Sequence, residues 1–112
     1  MQAVEFYYQG QRNMAFTATW TYRSSPADED FPHDITANCY FRLEIINGGK
    51  FTGRWIARML IYKDRETRLA TPEKDIPNDY IVSADYVANI DPYQILYQIA
   101  KIPYADALDV IE

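Results

Sequence analysis

The run from Met14 to Arg23 limits the fold more than any other part of this chain. Its residues alternate without a break: Met14, Phe16, Ala18, Trp20 and Tyr22 fall on one side, and Ala15, Thr17, Thr19, Thr21 and Arg23 on the other. A period of two belongs to an extended chain, so this is a strand with one dry face and one wet face. Such a strand needs neighbours. Upstream, Val4, Phe6 and Tyr8 alternate with Glu5, Tyr7 and Gln9 before the turn-forming stretch Gly10, Gln11, Arg12, Asn13, which predicts an opening hairpin.

Downstream, the stretch SSPADEDFPHD carries two prolines among acids and reads as a surface loop. Cys39, Phe41, Leu43 and Ile45 then alternate with Tyr40, Arg42, Glu44 and Ile46 up to Asn47, Gly48 and Gly49, giving a strand that ends in a tight reversal. The next segment, RWIARMLIY, fits either a strand or a helix by period alone. Pairing decides for a strand. With Gly48, Gly49 and Lys50 as a three-residue loop, Leu43 faces Trp55, Phe41 faces Ala57, Cys39 faces Met59 and Glu44 faces Arg54. A two-residue loop would set Leu43 against Arg54 and mismatch the faces.

Asp64, Arg65 and Glu66 make a polar reversal, after which Thr67 to Ala70 is expected to return as a short edge strand before Pro72 and Pro77. Residues 79–90 read as a brief strand followed by a short helix. Asp91 and Pro92 together signal a helix start, and Pro103 ends that helix after Ile102. The tail from Tyr104 is expected to add one more short helix, with Leu108 and Ile111 pointing inward. Residues 1–112 are therefore expected to form one α+β domain: a four- or five-stranded, mainly antiparallel sheet with a C-terminal helical layer on one face. Met14, Phe16, Trp20, Phe41, Leu43, Trp55 and Met59 should meet Ile95, Leu96, Ile99 and Ile102 in its core.

Cys39 is the only cysteine, which excludes an internal disulfide and points to a reducing compartment. No leader-like start and no membrane-length apolar run is present, so the expected location is cytoplasmic, with no membrane partner. A formal net charge of −5 repels phosphate backbones and disfavours nucleic acid as a partner. The four glycines supply no phosphate-binding loop and no dinucleotide fingerprint, so no cofactor is expected and no small-molecule ligand is identified.

His33 lies near Asp28, Glu29, Asp30 and Asp34, but the spacing matches no metal loop, and a solvated acidic loop explains it better. Cys39 shares a face with Phe41 and Leu43 and reads as a small core residue rather than a nucleophile. Arg54 and Arg58 lie on one side of their strand, with Arg65 and Arg68 following, and form a candidate anion-binding strip in an acidic surround. No catalytic residue is assigned, and the chain is not expected to be an enzyme.

The ten tyrosines are the compositional oddity, and tyrosine suits half-wet contact surfaces. On the helix from Pro92, Ile95, Leu96, Ile99 and Ile102 form an inward stripe, which places Tyr93, Tyr97 and Ala100 on the opposite side as partner-binding residues. The leading reading is a non-catalytic protein-binding module, of a small accessory, inhibitor or immunity type. It would contact another protein, or a second copy of itself, through an acidic, tyrosine-rich surface. One alternative is a small enzyme or ligand-binding domain using the Arg54 and Arg58 strip or His33 with nearby acids. The other is a nucleic-acid-binding or nucleic-acid-mimicking protein.

Overall fold

The computed structural model describes residues 14–24 and 33–111. The hairpin expected before Met14 and most of the acidic loop lie outside the described residues. Chain order is β1 (Met14–Arg23), β2 (Asp34–Gly49), β3 (Arg54–Tyr62), α1 (Arg65–Ala70), β4 (Ile81–Asp85), α2 (Pro92–Lys101) and β5 (Leu108–Ile111). The strands form one five-stranded sheet in the order β4-β3-β2-β1-β5, antiparallel at every seam. This is an α+β architecture.

The alternation in β1 does what its period requires. Phe16 and Ala18 face the main core, where Phe16 pairs across the seam with Phe41 of β2 and the two rings stack with centroids 4.8 Å apart. On the opposite face Ala15, Tyr40 and Tyr62 form a second, smaller buried cluster. Strand β2 is thus buried on both faces from Cys39 to Leu43.

The β2–β3 hairpin keeps the expected faces but not the expected register. Leu43 pairs with Met59, Phe41 with Ile61 and Glu44 with Arg58, each four positions further along β3 than a three-residue loop would give. The chain turns at residues 50–53, where the Gly53 N–H donates to the Gly49 carbonyl at 3.0 Å, and a bulge between Ile45 and Asn47 takes up one residue. An even shift moves no side chain to the other face, so face matching could not detect it. The bulge restores the parity that a four-residue turn breaks. Gly48 is required here: it has φ of 121°, and a Cβ would lie 2.3 Å from the Arg54 carbonyl oxygen.

Residues 67–70 are helix, not edge strand. Asp64 caps α1 by accepting the Thr67 N–H at 2.8 Å, and hydrogen bonding from Thr67 holds its carboxyl below the usual range. The brief strand in 79–90 is present as β4, but no helix follows it; the chain turns through Asn89, at φ of 65°. The tail is a strand, not a helix. Both oxygens of Asp106 accept the Thr19 N–H, at 3.0 and 3.1 Å, and the Thr19 hydroxyl also donates to it, which lays the following residues along β1 as β5. Leu108 and Ile111 are consequently exposed.

Helix α2 begins where expected, with the Asp91 side chain accepting the Tyr93 N–H at 2.8 Å and proline in the first turn. Asp91 is nevertheless buried, and its second carboxylate oxygen has no hydrogen-bond partner among the described residues. Burial therefore raises its pKa from 3.8. A raised folded-state pKa means the native chain holds this proton more tightly than the unfolded chain, so Asp91 favours the fold below pH 3.8 and this contribution is lost as pH rises through the folded value. We expect Asp91→Ser, which keeps the cap and removes the orphaned oxygen, to stabilise the protein by about 1 kcal/mol at neutral pH. Urea titrations of both proteins should show that advantage shrinking as the pH is lowered toward 4.

Candidate functional site

The three residues expected to meet a partner are inside the chain. Tyr93, Tyr97 and Ala100 are buried in the main core, whereas Ile99 and Ile102 of the expected inward stripe are exposed, Ile102 at 78%. Only Leu96 of that stripe is fully buried, with Ile95 packed beside it. The reason is polar. The Tyr97 hydroxyl accepts the Leu43 N–H of β2 at 3.0 Å and donates to the Met14 carbonyl of β1 at 2.7 Å, so it bridges the two strands where β1 begins. One turn earlier, the Tyr93 hydroxyl accepts the Ile45 N–H at 3.4 Å. Buried backbone groups need partners, and an isoleucine stripe facing the sheet could not supply them. Tyr93, Tyr97 and Ala100 accordingly face the sheet and not the surface.

The four arginines are not gathered into one site. Arg58 pairs with Glu44 at 3.0 Å, Arg54 lies opposite Asp85 of β4, Arg65 starts α1, and the Arg68 guanidinium stands 5.8 Å from the Tyr62 ring centre. The His33 N–H donates to the Ser24 hydroxyl at 2.9 Å, and Asp34 pairs with Arg23 at 3.4 Å, both at the base of the loop. Asp28, Glu29 and Asp30 lie outside the described residues. Among the described residues no cluster of three His, Cys, Asp or Glu side chains could hold a metal. Cys39 is buried, and desolvation raises its thiol pKa, away from the thiolate a nucleophile needs. No described helix is long and apolar enough to cross a membrane.

One arrangement does collect exposed recognition chemistry, and no single segment of the chain announces it. A cleft of about 580 Å³ opens between β4 and the C-terminal end of α2, lined by Trp20, Met59, Tyr80, Ile99 and Tyr104 together with the β4 residues Ile81, Val82 and Ser83. Its floor is aromatic: Trp20 meets Tyr80 edge-on at 6.0 Å, its indole N–H donates to the Tyr80 hydroxyl at 3.3 Å, and Tyr104 packs on Phe41 at 5.0 Å. Burial raises the Tyr104 phenol pKa, so it stays a neutral donor at physiological pH. Tyr80, Ile81 and Ile99 meanwhile remain substantially exposed. Comparison with protein-family models, curated proteins and solved structures gives no significant match. The site must be read from its own chemistry.

That chemistry can bury rings and aliphatic groups and offer single phenol and indole hydrogen bonds. Trp20, Tyr80 and Tyr104 are spaced far apart in sequence and come together only through the β1–β2 seam, the β3–β4 seam and the turn after α2. Alternation places Trp20 inward, but nothing local reveals that α2 leaves its ring uncovered at the sheet's β4 side. Away from the cleft, Phe51 at the tip of the β2–β3 hairpin is fully exposed.

Proposed function

We propose that this chain is a non-catalytic protein-binding module, of the small accessory or inhibitor kind, whose contact surface is the aromatic cleft between β4 and α2. The observation that carries the reading is the joint exposure of Tyr80, Ile81 and Ile99 around a cleft floored by Trp20 and Tyr104. Large, rigid rings with one polar atom each are what protein contact surfaces favour, because they bury much area at little entropic cost. The tyrosine-rich surface of this proposal is formed by Tyr80 and Tyr104, not by the helix tyrosines. A cytoplasmic location remains part of the proposal, in keeping with a single cysteine.

The test is a paired substitution on the cleft rim, Tyr80→Ala with Ile99→Asp. Both positions are exposed enough that the variant should melt cooperatively within a few degrees of the wild type. A protein recovered from the native source by the wild-type chain should bind the variant at least tenfold more weakly in calorimetric titration. Equal affinity for both proteins would remove the cleft from the contact surface.

A further inference from the structure

The outer edge of β4 borders this cleft, and its backbone is set to accept another strand. Pairing with β3 fixes which groups are free. Met59 donates its N–H to the Tyr80 carbonyl and Tyr86 donates to the Gly53 carbonyl, while Ala57 faces Val82 and Trp55 faces Ala84. In an antiparallel ladder the hydrogen-bonded pairs alternate, so Val82 and Ala84 spend their N–H and C=O groups on β3, as do the Tyr80 carbonyl and the Tyr86 N–H, while the Tyr80 N–H donates to the Asn78 side chain at 3.0 Å. The N–H and C=O groups of Ile81, Ser83 and Asp85 therefore point away from the sheet, where no further strand lies among the described residues. The other edge is different: Lys101 of α2 reaches Asp109 of β5 at 2.8 Å, and none of the β5 residues lines this cleft. Edges left open are commonly blunted by lysine, proline or a bulge, and β4 has none of these.

Charge then selects the occupant. From Asp75 through Ala100 the sequence holds Asp75, Asp79, Asp85 and Asp91 and no lysine, arginine or histidine. Asp79 and Asp85 bracket β4, and the neighbouring cation of Asp85 is Arg54 across the β3 seam. A second copy would bring another acidic β4 to the same edge, with no cation on either strand to offset it. An extended peptide with basic residues flanking an apolar centre meets the opposite condition.

We infer that β4 binds such a peptide by strand addition: its backbone pairs with Ile81, Ser83 and Asp85, its alternate apolar side chains enter the Trp20–Tyr104 cleft, and its flanking lysines or arginines meet Asp79 and Asp85. This rests on the contact-surface reading above and names the partner's chemistry. An added strand lies about 4.8 Å outside β4, and side chains on its inner face project beside Val82 toward Ile99. Main-chain bonds supply affinity, and the cleft supplies choice among apolar side chains.

The probe is the capped peptide Lys-Ile-Thr-Leu-Thr-Val-Lys, titrated into the labelled full chain and followed by amide hydrogen exchange and chemical shifts. Binding should slow exchange at Ile81, Ser83 and Asp85 at least tenfold and shift the Trp20 indole resonance. Glutamate in place of both lysines should weaken binding at least tenfold, and N-methylation of the leucine and both threonines, which removes the ladder donors for either strand direction, should abolish it. Ser83→Pro removes an outward N–H that β3 does not use, so the variant should fold and lose the peptide. No protection at the three amides, or equal binding of the lysine and glutamate peptides, overturns the inference. Cleft shifts without edge protection overturn strand addition yet leave the contact surface standing, whereas failure of that surface is read separately from the Tyr80→Ala, Ile99→Asp variant.

Discussion

The double variant Tyr93→Glu, Tyr97→Glu is expected to lose its cooperative melt altogether. Both rings are buried, Tyr97 at 2% exposure, and glutamate would place a carboxylate where a phenol now bridges Leu43 and Met14. Removing one large buried aromatic costs roughly 3–5 kcal/mol, before any charge is considered. Two such losses with two desolvated carboxylates exceed the whole stability of an ordinary domain, which is about 5–15 kcal/mol. Circular dichroism should show a broad, shallow thermal trace in place of a transition. The milder Tyr97→Phe isolates the hydroxyl: it keeps the ring against Phe16 but strands the Leu43 N–H and the Met14 carbonyl, at a cost of roughly 1–3 kcal/mol. Retention of a full cooperative transition in the glutamate variant would mean that α2 does not seat on the sheet through these rings.

That prediction turns on the part of the helix the sequence describes least well. Hydrophobic periodicity ranks isoleucine above tyrosine for the inward face, and by that ranking Ile99 and Ile102 belong inside. The ranking omits hydrogen bonding. Leu43 and Ile45 of β2 offer N–H groups to α2, and a phenol can both fill space and accept such a bond. No local pattern announces this demand, because it arises between residues about fifty positions apart.

The sheet was more legible, since its evidence is local. Alternation located β1 and β2 and assigned their faces from single segments, and matching β3 against the faces of β2 identified it as a strand. Register was less accessible: Glu44 pairs with Arg58 rather than Arg54, because both arginines share a face and charge matching cannot choose between them. Strand β5 was hidden for another reason. Its four residues are too few to show a period, and it is held by Asp106 reaching across to Thr19, a contact 87 residues apart in sequence. The cleft was unreadable for the same reason as the helix face, since Trp20, Tyr80 and Tyr104 meet only after the sheet has closed.

The sheet's aromatic centre yields the other large effect. Phe41 is fully buried and touches three rings: Phe16 stacked at 4.8 Å, Tyr104 tilted at 5.0 Å and Trp20 edge-on at 6.3 Å. Phe41→Ala would leave a void that none of these can fill without abandoning another contact. A loss of roughly 3–5 kcal/mol is expected from lost transfer energy and the residual cavity. Arg58→Ala is the control on the opposite face, where its pair with Glu44 is about half exposed on both sides, at 54% and 48%, so its loss should cost under about 1 kcal/mol. Urea unfolding of the two variants should therefore separate their midpoints widely with little change in slope. Because Tyr104 and Trp20 also floor the cleft, Phe41→Ala should further weaken peptide binding under conditions where the variant is still folded, while Arg58→Ala leaves it unchanged. Equal midpoints for the two would contradict the assignment of Phe41 to the core face and, with it, the placement of the rings beneath the cleft.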